Sequence, residues 1–372
     1  MVRQFAAAWF VSCAVIAGSA SACPFCTAVA PSLAQLREQA DIVLLAEVLE
    51  TGKPPLLRVH RTVKGKSPVS GDSPLRATVD ADLLQGTLAL LFGSANGDAI
   101  RWHAVPANET VAGYFFASPS LRTPERERLP YFAGYLEHPE DAIAADAYNE
   151  LGRAPFDVVS QLGDAAPSEK LRAWIVGPAV PPARKGLYGL LLGLAKDEAA
   201  RRENARLLQK QIEAGASDFR AGFDGMIGGY LLLAGAPGLK LIESRLLSNP
   251  KAAVGDVRHA MTALRFYHEY GNQISSERLS SALALVLKRP EFAEAAITDL
   301  ARWQAWKYCD EIAGLYHRRG FDSSELRRAI VGYLRTCPSA CCGTALADLR
   351  QSDPTGVANA ESILEKLGRL PR

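Results

Sequence analysis

Two hydrophobic periods divide the chain. Between Ala40 and Val105, apolar residues alternate with polar ones or gather in short runs, the two-residue period of strands. Segments 41–49, 56–63, 75–79, 87–92 and 100–105 are the expected strands. Turn-forming residues separate them: Gly52-Lys53-Pro54-Pro55, Ser70-Gly71-Asp72 and Asn96-Gly97-Asp98. Five short strands at this spacing predict a small antiparallel β-barrel of OB-like form. Ahead of them Ser32 and Gln35 match a capping box, which predicts a short helix over 33–39.

After Pro106 the apolar spacing lengthens to three and four residues and stays so. Helices are expected over 125–137, 141–152, 168–175, 183–195, 199–213, 219–233, 239–247 and 256–270, and then over 277–287, 292–303, 309–318, 325–335, 340–349 and 357–367. Breakers such as Pro139, Pro155, Pro181-Pro182, Pro290, Pro338 and Pro354 fall between them. Pairing the later helices gives starts near Pro182, Phe219, Asp256, Glu291 and Ser323, with offsets in the thirties. A hairpin of that size cannot cover its own apolar stripe, so neighbours must stack on it. The fold class expected is α+β multidomain: a leader over 1–22, the barrel over 23–106 and a curved α-solenoid within 107–372.

The first residues set the compartment. Arg3 precedes an apolar stretch over 5–17, and Ala20-Ser21-Ala22 offers the small residues that a signal peptidase reads. At about thirteen residues the stretch is shorter than the ~20 needed to span a bilayer, so cleavage after Ala22 is expected. Cys23 then becomes the first residue of an exported protein, periplasmic or extracellular. The same cysteine could carry a lipid anchor. The later apolar stretch 226–239 is broken by Gly228, Gly229, Gly235 and Pro237 and reads as a buried helix of the array, not a membrane span.

Two resemblances follow from these segments. The helical part resembles HEAT-type repeats in hairpin length and in starts such as Pro139-Glu140-Asp141 and Pro290-Glu291. That likeness implies a binding scaffold, not an activity. The N-terminal part resembles the netrin-like module of tissue inhibitors of metalloproteinases. Cys23 and Cys26 at the new N-terminus, Ala40-Asp41-Ile42-Val43 and the run Val59-His60-Arg61-Thr62-Val63-Lys64-Gly65 carry it. In that family the amine and carbonyl of the first cysteine chelate a protease's zinc, a role that would fall here to Cys23. The spacing to Cys26 is one residue longer than the family's, and the family's further module cysteines are missing.

The cysteines are the sharpest chemical feature. Removal of Cys13 with the leader leaves Cys23, Cys26, Cys309, Cys337, Cys341 and Cys342, an even set suited to an oxidising compartment. Cys23-Pro24-Phe25-Cys26 is a CxxC motif without the preceding strand of a thiol–disulfide enzyme, so a structural pair is the first expectation and redox activity the second. Cys309, Cys337, Cys341 and Cys342 fall on adjacent predicted hairpins. One or two disulfides among them are expected, with a zinc site as the alternative. Connectivity stays open, because six cysteines allow ~15 pairings.

Other chemistry is thin. The chain has 42 basic and 40 acidic side chains and no basic block, which argues against nucleic acid as a partner. Zinc-protease, nucleophile-elbow and phosphate-loop patterns are missing, and no cofactor is indicated. The six histidines are scattered. The function expected is a non-catalytic exported scaffold that binds a protein or cell-envelope partner. The alternatives are thiol–disulfide exchange at Cys23 and Cys26, or protease inhibition through Cys23.

Overall fold

The structure is a computed structural model and describes residues 25–26, 30–97, 99–162, 165–215 and 220–368. Its first helix, α1 (Leu33–Gln39), carries the expected capping box. The Gln35 N–H donates to Ser32 Oγ at 3.3 Å, and the Ser32 N–H donates to Gln35 Oε1 at 3.1 Å.

Five strands follow: β1 (Ile42–Glu50), β2 (Leu56–Lys64), β3 (Leu75–Arg76), β4 (Leu88–Asn96) and β5 (Ala99–Ala107). They form one antiparallel sheet in the order β3-β2-β1-β4-β5. β1 is central and apolar on both faces, which is why its sequence runs nearly unbroken in hydrophobic residues. Register shifts between Val43 and Leu44, Leu45 and Ala46, and Val48 and Glu50 mark irregularities that curl β1 against β2. The outcome is a half-barrel. A parallel bridge between Val79 and Trp102 brings the segment after β3 across to β5. Gly93 faces Trp102 across the β4–β5 pair, and a Cβ there would sit 2.6 Å from the indole. Glycine lets the ring lie against the strand.

The two faces of the sheet serve different cores. Leu44, Ala46, Val48, Leu57, Leu91 and Trp102 form one, closed over by Leu75, Ala77 and Leu83. Val43, Leu90 and Phe92 on the opposite face join Phe115, Phe132 and Leu151 in a core that runs on through the helices to Leu364.

The remaining helices are α2 (Glu109–Ala117), α3 (Glu125–Ala133), α4 (Asp141–Arg153), α5 (Phe156–Val159), α6 (Ser168–Val176), α7 (Pro182–Gly193), α8 (Glu198–Glu213) and α9 (Phe223–Ile242). They continue as α10 (Val254–Tyr270), α11 (Ser276–Ala284), α12 (Pro290–Arg302), α13 (Cys309–Ala313), α14 (Ser324–Thr336), α15 (Ala340–Ser352) and α16 (Pro354–Lys366). Packing follows chain order in a layered way. α7 lies on α9, α9 on α10, α12 on α14 and α14 on α16, while α8, α13 and α15 pack alongside them.

α7 and α9 approach closely, and glycines meet glycines there. A Cβ on Gly193 would fall 2.6 Å from the Cα of Gly229, and one on Gly189 would fall 2.6 Å from the Cα of Met226. Backbones in such proximity leave no room for side chains.

Three differences from the sequence pattern stand out. Segments 219–233 and 239–247 form one element, because α9 continues past Gly235 with a kink (φ 55°) and ends in a π turn, Glu243–Leu247. α2 and α5 were not anticipated. α2 is started by Asn108, whose Oδ1 accepts the Val111 N–H at 2.9 Å. The expected helix over 309–318 stops at Ala313 and goes on as turns. The 25-residue stretch Phe223–Leu247 is long and apolar enough to cross a membrane, with a mean hydropathy of 1.4 over an 18-residue window, but 61% of that window is buried within the protein.

Candidate functional site

The C-terminal cysteines converge as their hairpins stack. Cys337 caps the end of α14, Cys341 and Cys342 lie in the first turn of α15, and Cys309 begins α13. α15 packs on both α13 and α14, so all four sulfurs fall at one end of this layer.

Cys337 and Cys342 form a disulfide with a Cα–Cα distance of 6.1 Å. It closes the turn made by Pro338-Ser339-Ala340, and both residues are buried. The remaining two sulfurs lie beside each other. Cys341 Sγ is 2.7 Å from Cys309 Sγ and donates to Asp310 Oδ1 at 3.0 Å. Cys309 is 4% exposed, whereas Cys341 faces solvent.

Electrostatics oppose a reactive thiolate here. The hydrogen bond to Cys309, and after it the hydrogen bond and negative charge of Asp310, push the Cys341 thiol up to about 12. Nucleophilic cysteines have lowered values, so this one is held protonated. Cys309, Asp310 and Cys341 place three ligand atoms within 4.8 Å of one another. A closed zinc site takes ~4 ligands. The Cys337–Cys342 bond removes the other two sulfurs from such a set, so the four-thiolate arrangement is not formed.

The N-terminal motif is placed only in part. Cys23 lies outside the described residues, as do the leader, the cleavage position at Ala22 and the proposed lipid attachment. Cys26 is half-buried, and Phe25 is buried at 1% exposure. The Phe25 ring stands 4.7 Å from that of Phe266 on α10, and a Cβ on Gly228 of α9 would lie 2.7 Å from its Cζ. Phe25 is therefore anchored among the helices.

The histidines stay apart. His60 meets Glu47 at 3.1 Å, His103 meets Asp80 at 2.6 Å, and His268 stacks on Trp303 with centroids 4.3 Å apart. A groove of about 460 Å³ opens between α12 and α14, lined among others by Glu294, Thr298, Arg302, Trp306, Arg328 and Tyr333.

A polar cluster that the sequence did not reveal lies beneath α4. Asp146 and Glu150 are buried, with Arg128 of α3 paired to Glu150 and Tyr114 of α2 donating to Asp146 at 2.8 Å. Both acids sit three and seven residues after the buried Ile143, on the face the helix turns inward.

No protein-family model, curated protein or solved structure matches this chain.

Proposed function

We propose that the protein is an exported, non-catalytic scaffold whose helical surface binds a protein or cell-envelope partner. The layers are read as HEAT-like hairpins and the half-barrel as an OB-like module. The supporting observation is the groove between α12 and α14, which combines the half-buried Trp306 with Arg302, Arg328, Glu294 and Thr298. Aromatic and arginine side chains together are the usual energetic centre of a protein interface.

Site-directed photo-crosslinking in intact cells tests this reading. A cross-linking side chain at Thr298, on the exposed side of α12, is expected to capture a partner of defined mass. Arg328→Ala is expected to weaken that capture at least tenfold. Equal capture from a control position on α8 would refute a binding role for the groove. N-terminal sequencing of the same protein tests export, which fails if residues 1–22 are retained.

A further inference from the structure

We propose that Cys309 and Cys341 are joined in a second disulfide, a covalent cross-link between the layers of α13 and α15. Their sulfurs lie 2.7 Å apart, inside the contact distance of two unbonded sulfurs. The residues are 32 apart in sequence, so this bond ties neighbouring hairpins, whereas Cys337–Cys342 spans a separation of 5 and closes a single turn. The Cys337–Cys342 bond narrows the choice further. Residues 336–350 hold three cysteines, an odd number, and once Cys337 and Cys342 are bonded Cys341 is left beside Cys309.

The chemistry is a two-electron oxidation that needs a disulfide oxidant, such as glutathione disulfide. The exposed Cys341 sulfur attacks the oxidant slowly, through the small fraction that has lost its proton, forming a mixed disulfide and releasing one glutathione. The Cys309 sulfur then loses its proton and displaces the second glutathione from Cys341. Two protein thiols are oxidised and one glutathione disulfide is reduced to two thiols. A Cys341 thiol held protonated by Cys309 and Asp310 gives the reduced pair no thiolate stabilisation, the property that makes catalytic disulfides easy to reduce. The bond is accordingly structural. In the cell it rests on the exported reading, since an oxidising compartment supplies the oxidant. The pairing itself is tested apart from that reading.

The experiment is peptide mapping of the purified full chain after incubation with glutathione disulfide and alkylation of remaining thiols. Trypsin cuts after Lys307, Arg318, Arg335 and Arg350, releasing peptides 308–318 and 336–350. They are expected to travel as one species that reduction separates. In Cys341→Ser the 308–318 peptide is expected to appear alone, with Cys309 alkylated and Cys337–Cys342 intact. Peptides that stay joined in Cys341→Ser would assign Cys309 to another sulfur and overturn the pairing. So would full alkylation of both thiols in the oxidised wild-type chain. A third overturning result is one zinc ion per chain that shields both thiols from alkylation and from the oxidant. Failure of the cross-link in protein taken from cells, with success in vitro, would count against export and leave the pairing standing.

Discussion

Asp146 Oδ1 accepts the backbone N–H of Leu33 at 2.6 Å, a bond across 113 residues of sequence. Its other oxygen accepts the Tyr114 hydroxyl at 2.8 Å. One buried carboxyl thus satisfies a free N–H in the first turn of α1 and fixes α2 against α4. Desolvation outweighs these two donors, and Glu150 adds repulsion, so the Asp146 carboxyl is raised to about 6.

That shift sets a pH dependence. Between about pH 4 and pH 6 the folded chain holds the Asp146 proton and the unfolded chain has released it, so stability from this group falls as pH rises. Full stabilisation is present below the unfolded value, and it is lost above about 6. The size is up to about 3 kcal/mol at ~1.4 kcal/mol per unit. Denaturant unfolding of wild type and Asp146→Asn should diverge across this window, with the variant gaining relative to wild type as pH rises. Parallel pH profiles would count against a protonated Asp146.

Arg128 and Glu150 form a buried pair at 7% and 1% side-chain exposure. Arg128→Met should cost about 3–5 kcal/mol, because it strands the Glu150 charge. The double variant Arg128→Met with Glu150→Leu should recover most of that loss. A double variant as unstable as the single one would show that packing, not charge, dominates here.

Phe25 fills a pocket made by Gly228 and Phe266. Phe25→Ala should destabilise by about 3–5 kcal/mol in urea unfolding. A loss under 1 kcal/mol would mean that this segment contributes little to the folded state.

The glycine contact of α7 and α9 gives a paired test. Gly229→Ala drives a methyl into the backbone at Gly189 and should cost about 1–3 kcal/mol. Gly113 on α2 is exposed, with nothing within 4 Å of a built Cβ. Gly113→Ala should therefore stabilise by up to about 1 kcal/mol. Midpoints of thermal unfolding moving in opposite directions would bear out the contrast, and equal shifts would contradict it.

The local features of this fold were legible because local rules govern them. Alternation in some segments and short apolar runs in others mark the strands, and Ser32 with Gln35 announces α1. The apolar spacing does not announce α2, whose one local cue is the Asn108 cap. Gly235 and Pro237 look like a stop, yet packing on α7 and α10 carries α9 through them as a kink. Spacing alone also hid Asp146 and Glu150, since an acid on a helix is ordinarily turned to water. The Cys309–Cys341 contact depends on how α13 and α15 stack, and no local pattern encodes that. The Cys337–Cys342 bond was expected only as one choice among several.

Phe25 has a consequence for timing. A polypeptide appears N-terminus first, whether from a ribosome or a translocation channel, and Phe25 must wait for Phe266 to emerge. Until then Phe25 has no berth, although the half-barrel already rests on α2 to α4 through Phe92, Phe115 and Phe132. Phe25, the first residue described, is thus among the last to settle.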